Sequence, residues 1–173
     1  MAGITSLLQR LYEPVEACVH VDAPREVVFA TVTDPETYPD WLIGAQRMRR
    51  VDRDYPAPGA TFEHSVGVGA LTVDDRSESV DVEEGRCLEL RVHAGPFHAL
   101  VVFRLHELPD GTTDVHLREK PIGLFAPLTP LLRPTLHARN VRSLQKLRDR
   151  VAHAPGGYGR TDRHPPEVHD DAR

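Results

Sequence analysis

The sequence predicts a single α+β domain in which a curved antiparallel sheet wraps around one long C-terminal helix and encloses a cavity. Three observations carry that expectation. Strand-like segments follow one another from Gln46 to Lys120, joined by short turns. The stretch Thr129 to Val151 then repeats apolar residues at helical spacing. Two short helical segments directly follow the first strand, where most antiparallel folds continue with a hairpin.

In order along the chain, Ile4, Leu7, Leu8 and Leu11 recur at helical spacing, so residues 1–14 read as an amphipathic helical extension ended by Pro14. Its apolar stripe must cover the domain's own core, a partner subunit in a homodimer, or a membrane surface. Val15 to Val21 alternates apolar and polar residues, as a half-buried first strand does. Asp22 then offers an N-cap, Pro24 suits a first helical turn, and Glu26 adds acidity there. Asp34-Pro35 opens a second short helix by the same signals, running towards Trp41 and Leu42. Turn residues at Pro56 to Gly59, Gly67 to Gly69, Glu84-Gly85, Gly95-Pro96 and Pro109-Asp110-Gly111 divide the next stretch into six strands. Leu132, Leu136, Asn140, Leu144, Leu147 and Val151 form one face of the final helix. The order is β-α-α-β6-α, a seven-stranded sheet over residues 15–152. Residues 153–173, rich in Pro, Gly, His and Asp, read as a disordered tail.

Turn chemistry phases the strands. Pro109-Asp110-Gly111 suits a three-residue hairpin loop with Gly111 in the left-handed conformation, which sets Val101, Phe103 and Leu105 beside Glu119, Leu117 and Val115. Working back through Gly95-Pro96 places Leu90 and Leu88 on the same face, with Val92. Beyond Gly85 the same alternation adds Val80, Val82, Glu78 and Arg76. The inward set therefore contains polar residues: Arg76, Glu78 and Glu119, with Asn140 interrupting the helix stripe and His64 between Phe62 and Val66. A buried unpaired polar group costs about 1–3 kcal/mol, so a wet or ligand-filled cavity explains them better than a dry core.

Bulk properties exclude several classes. The 173 residues carry a net charge of −5, which attracts neither nucleic acid nor an anionic membrane. No apolar run approaches the ~20 residues of a membrane-spanning helix, and the first residues lack a signal-peptide pattern. Cys18 and Cys87 lie far apart, as expected of a protein in a reducing compartment, and the expected location is cytoplasmic. The ten histidines show no ligand spacing, and no glycine-rich phosphate loop or nucleophile elbow is present, so neither metal nor cofactor is expected. Arg133, Arg139, Arg142, Lys146, Arg148 and Arg150 read as a solvated basic face of the last helix.

The segments Val19 to Phe29 (VHVDAPREVVF), Asp34 to Trp41 (DPETYPDW), Asp110 to Leu117 (DGTTDVHL) and His137 to Leu147 (HARNVRSLQKL) occur in an order and spacing that resemble the SRPBCC superfamily of START-like helix-grip proteins. Within it, the chain resembles the polyketide cyclase/dehydrase and lipid transport family, over roughly Val15 to Ala152. The resemblance implies a cavity between sheet and long helix that takes an apolar or aromatic small molecule. It supplies no catalytic residue.

The expected ligand-binding set is Phe62, His64, Arg76, Glu78, Leu90, Phe103, Leu117, Glu119, Leu136 and Asn140. Two further readings stay open. In one, the protein is a cofactor-independent cyclase or dehydratase in which His64 or Glu119 moves protons. In the other, it is an interaction module working through its N-terminal helix or basic helix face. Each polar candidate also has a structural reading. His64 can be a satisfied core histidine, Arg76 can pair with a glutamate, and Asn140 can cap a strand end. Tyr38 and Trp41 either roof the cavity or pack in the core, and the apolar connection Pro121 to Pro127 either forms its mouth or leads into the helix.

Overall fold

The computed structural model describes residues 13–68 and 71–154. Its elements are β1 (Val15–Val21), α1 (Arg25–Val32), a 3-10 turn (Pro35–Thr37), α2 (Tyr38–Trp41), β2 (Ala45–Val51), β3 (Thr61–Val68), β4 (Leu71–Glu83), β5 (Cys87–Ala94), β6 (Phe97–Glu107), β7 (Thr113–Ile122), a second 3-10 segment (Gly123–Leu128) and α3 (Thr129–Ala152). The expected N-terminal helix and most of the expected tail lie outside the described residues. Among the described residues no helix is long and apolar enough to cross a membrane.

The seven strands form one antiparallel sheet in the order β1-β7-β6-β5-β4-β3-β2. Two sequence-predicted registers are present as expected. Gly111, at φ +80°, closes the β6–β7 hairpin so that Phe103 faces Leu117 and Val101 faces Glu119. Gly95 turns β5 into β6 with Leu90 beside Val101 and Leu88 beside Phe103. Beyond Gly85 the register starts as expected, with Val82 opposite Leu88.

The alternation then breaks. Ser79 pairs with Leu90 and Asp81 with Glu89, leaving Val80 as an extra residue in β4. Such a bulge shifts the side-chain alternation by one position. Asp75, Ser77 and Ser79 are consequently buried, whereas Arg76 is exposed and Glu78 half-buried. The inward phasing of Arg76 and Glu78 is thus corrected: both belong to the convex face, where Glu78 accepts from Arg91 Nη1 at 3.1 Å.

The start of α1 differs too. Pro24 occupies the N-cap position and no side chain caps this helix. A tight turn, Ala23 N–H to Val21 C=O at 2.8 Å, leaves Asp22 outside the helix, near His20 on the surface. Asp34 does cap the following turn, accepting from the Glu36 N–H at 3.1 Å.

The helix α3 is divided by function. Its C-terminal half buries Leu144, Leu147 and Val151 in a core cluster with Val28, Val32, Trp41, Phe103, Leu105 and Val115. Trp41 belongs to this dry core, stacked edge-on against Tyr38 and Phe103, with Nε1 donating to Thr37 Oγ1 at 3.0 Å. Each fully buried aliphatic side chain here contributes about 1.5–3 kcal/mol. The N-terminal half of α3 stands off the sheet. Leu147→Ala is expected to destabilise the domain by about 2–5 kcal/mol in urea unfolding. A loss well under 1 kcal/mol would show that this half of the helix is not the anchor.

Candidate functional site

Where α3 stands away from the concave sheet, a cavity of about 360 Å³ remains. Its walls are apolar: Leu90, Val92, Val101, Phe103 and Leu117 from the sheet, Leu132 and Leu136 from α3, Leu42 and Ile43 beyond α2. Tyr38 lines one side, its hydroxyl donating to the Val32 carbonyl at 2.8 Å and lying 3.1 Å from the Tyr55 hydroxyl. Pro121, Phe97 and His98 bring the ends of β6 and β7 to the cavity, and Phe97 is half exposed there.

Of the ten sequence-predicted ligand-binding residues, eight line this cavity: Phe62, His64, Leu90, Phe103, Leu117, Glu119, Leu136 and Asn140. Arg76 and Glu78 do not. They border a shallow surface depression on the other face with Gly59, Thr61 and His93.

Besides His98 at the strand ends, two buried polar groups interrupt the apolar wall. The first joins β7 to α3. Glu119 Oε2 accepts from Asn140 Nδ2 at 2.8 Å and from Arg139 Nη2, while Asn140 Oδ1 accepts from Arg139 Nε at 3.2 Å and Nη2 at 3.0 Å. Asn140 therefore caps no strand end. Arg139, expected on the solvated basic face, instead reaches inwards and lines the cavity. A long arginine next to an inward asparagine can sweep round the helix to a buried carboxylate, and the demand of Glu119 for a cation was the available signal.

The second group joins β3 to β4, and its carboxylate was missed because the bulge hides it. His64 and Asp75 are opposed in register, with His64 Nε2 at 3.3 Å from Asp75 Oδ2. Both are almost fully buried, at 4% and 1% exposure. Asp75 Oδ1 accepts the His93 N–H at 3.1 Å, and the Arg76 N–H and Ser77 hydroxyl also act on the carboxylate. Among the described residues, His64 Nδ1 meets no hydrogen-bond partner. Burial lowers the pKa of His64 below its ordinary 6.5, opposed by the Asp75 charge and reinforced by Arg49. Burial raises that of Asp75 above 3.8, opposed by His64 and by the donors around it.

The stability consequence follows from the signs. With a folded pKa below 6.5, neutral His64 stabilises the native state above that value, and the contribution is lost as pH falls through the folded pKa. Asp75 acts oppositely: its raised folded pKa gives a contribution present below 3.8 and lost as pH rises through the folded value. Just below pH 6.5 the His64 contribution therefore falls as pH falls. From about pH 7.5 to about 5.5 the wild type is expected to lose more Tm than His64→Gln, which keeps an amide donor for Asp75 but does not titrate. Parallel Tm curves for the two proteins would contradict this.

A family model described as polyketide cyclase/dehydrase and lipid transport matches residues 14–152. The chain belongs to this SRPBCC-type family. Its fold recurs in solved structures. The ZhuI aromatase/cyclase from Streptomyces sp. R1128 has a TM-score of 0.65 at 20% identity, over 83% of this chain and 98% of the other. The di-domain aromatase/cyclase StfQ of the steffimycin biosynthetic pathway has a TM-score of 0.65 at 13% identity, over 86% of this chain and 53% of that one. A conserved protein from Geobacillus kaustophilus aligns with a TM-score of 0.64 at 16% identity, over 79% of this chain and 93% of the other. At these identities the likeness shows the helix-grip fold alone. A comparison with curated proteins found no match.

Proposed function

We propose that this member of the polyketide cyclase/dehydrase and lipid transport family binds a small hydrophobic or aromatic molecule between its sheet and α3. The observation that carries the reading is the cavity itself. It has the volume of a small-molecule site, about 300–1,000 Å³, and a mostly apolar lining with few polar groups. An unfilled apolar cavity costs packing stability, and the dry core around the C-terminal half of α3 shows that these elements can pack without one. Leu136 faces the cavity from one turn before Asn140, so Leu136→Trp fills the space without touching that core. Binding of 2-methoxynaphthalene, followed by calorimetry, is expected in the wild type and to weaken at least about tenfold in Leu136→Trp. Unchanged affinity in the variant would place the guest elsewhere.

One observation favours a second reading, in which the guest is also transformed. His64 lines the cavity beside the buried Asp75 carboxylate, with Nε2 3.3 Å from Oδ2, and burial holds its imidazole towards the neutral, proton-accepting form that a general base needs. The aromatase/cyclases among the structural neighbours point the same way. In this reading His64 takes a proton from a carbon between two carbonyls and returns it to the same molecule, with nothing added. Benzoylacetone in deuterium oxide provides the test. Exchange at its central carbon is expected to run faster with wild type than with buffer, and to fall to the buffer rate with His64→Gln. Equal rates for the two proteins would remove His64 from this role.

A further inference from the structure

We infer that Glu119 Oε1 is an open hydrogen-bond acceptor on the cavity wall, selecting guests that carry a neutral hydroxyl at the end of an apolar aromatic body. The inference rests on the cavity-binding reading above and sharpens it from apolar guest to hydroxyl-bearing guest.

The two oxygens of this carboxylate have different surroundings. Oε2 is committed: Asn140 Nδ2 donates to it at 2.8 Å, and Arg139 Nη2 donates to it as well. The direction of the first bond is fixed. Asn140 Oδ1 accepts from Arg139 Nε at 3.2 Å and Nη2 at 3.0 Å, which leaves Nδ2 as the group facing Glu119. Oε1 accepts from none of the described residues. Nor is it sealed: among the described residues, the fully enclosed side-chain atoms without a partner are Arg25 Nε and His64 Nδ1. Glu119 lies on the concave face, opposite Val101 in register, and lines the cavity, so Oε1 opens into that space.

Its neighbours decide which guest it suits. Val101 and Leu117 flank Glu119 on the sheet, and Leu136 stands one turn before Asn140 on α3, so the acceptor is set in an apolar wall. A guest without a donor that lies over Oε1 strips it of water and offers nothing in return, whereas a hydroxyl satisfies it. Hydrogen bonds to a charged acceptor are stronger than neutral ones, and sites built around a substrate hydroxyl reject analogues that lack it. Arg139 already balances the charge of Glu119, which favours a neutral donor over an ammonium guest and sets a carboxylate guest against a like charge. The cavity's other carboxylate does not compete. Asp75 is 1% exposed, with the His93 N–H on Oδ1 and the Ser77 hydroxyl 3.5 Å from Oδ2.

The same asymmetry gives Glu119→Gln a direction. At the place of Oε2 an amide nitrogen would meet two donors, so the amide oxygen takes that place. The amide nitrogen then stands where Oε1 was, and the open acceptor becomes an open donor.

The experiment uses the full chain and three probes on one aromatic body: 2-naphthol as donor, 2-methylnaphthalene with nearly the same shape and no polar atom, and 2-acetonaphthone as acceptor. Calorimetry at about pH 7.5, where 2-naphthol keeps its proton, is expected to show it bound about tenfold tighter than 2-methylnaphthalene by wild type. In Glu119→Gln the affinity of 2-acetonaphthone relative to 2-naphthol is expected to rise at least about tenfold, with 2-methylnaphthalene bound about as before. A crystal of wild type soaked in 2-naphthol is expected to place the hydroxyl within hydrogen-bond distance of Oε1. The wild-type affinities and this crystal decide the matter even if the variant does not fold. Equal binding of 2-naphthol and 2-methylnaphthalene by wild type, an unchanged preference in a folded variant, or a hydroxyl pointing away from Oε1 would overturn the inference and leave the cavity reading standing. Failure of every probe to bind wild type would overturn both.

Discussion

Val80 is one residue too many for the strand opposite it, and the cavity depends on that surplus. A strand presents alternate residues to alternate faces, so an inserted residue exchanges the faces of everything on one side of it. Above the bulge, Val82 stays level with Leu88 and serves the core. Below it, Asp75, Ser77 and Ser79 turn inwards, and Arg76 and Glu78 turn out. Without the shift, the cavity would hold an arginine and a glutamate, and Asp75 would lie on the convex face. One backbone irregularity thus decides whether β4 contributes bulky surface charges or a short, buried carboxylate to the site.

The second constraint is the division of labour along α3. Leu144, Leu147 and Val151 pin its C-terminal half against α1, α2 and the sheet. This fixed end lets the other half bridge open space. There the helix is held to the sheet by polar contacts, through Arg139 and Asn140 to Glu119 on β7, and by Arg133 Nη2 donating to the Glu13 carbonyl at 2.8 Å. Polar tethers of this kind fix position without filling volume, which is what a cavity wall needs. A buried carboxylate such as Glu119 is tolerable only with such partners, since removing one would leave it uncompensated.

Much of this was legible in the residues. Gly111 and Gly95 fixed two registers because their turn types leave little freedom, and Leu88, Leu90, Phe103 and Leu117 followed onto one face. The helical stripe of α3 located Asn140 among apolar neighbours, and the inward Glu119 followed from the β6–β7 hairpin. The bulge was not legible. Val80 is an ordinary strand residue, and no glycine or proline marks the extra position. The β4 assignments on the far side of it were consequently reversed, which exposed Arg76 and concealed Asp75, with Glu78 turned to the convex face. The inward reach of Arg139 was equally hidden, because its Cα sits beside the buried stripe and only the length of the side chain brings it to Glu119.

An open, apolar space lies between the N-terminal half of α3 and the sheet, with the far half of β4 reversed by its bulge. A crystal of the unliganded protein pressurised with xenon tests this most directly, because xenon enters apolar cavities without needing any particular ligand. Xenon density between Leu90, Phe103 and Leu136, with Asp75 turned towards His64 and Arg76 outwards, is the predicted result. An interior filled by side chains that admits no xenon, or a continuous β4 with Arg76 inside, would contradict it.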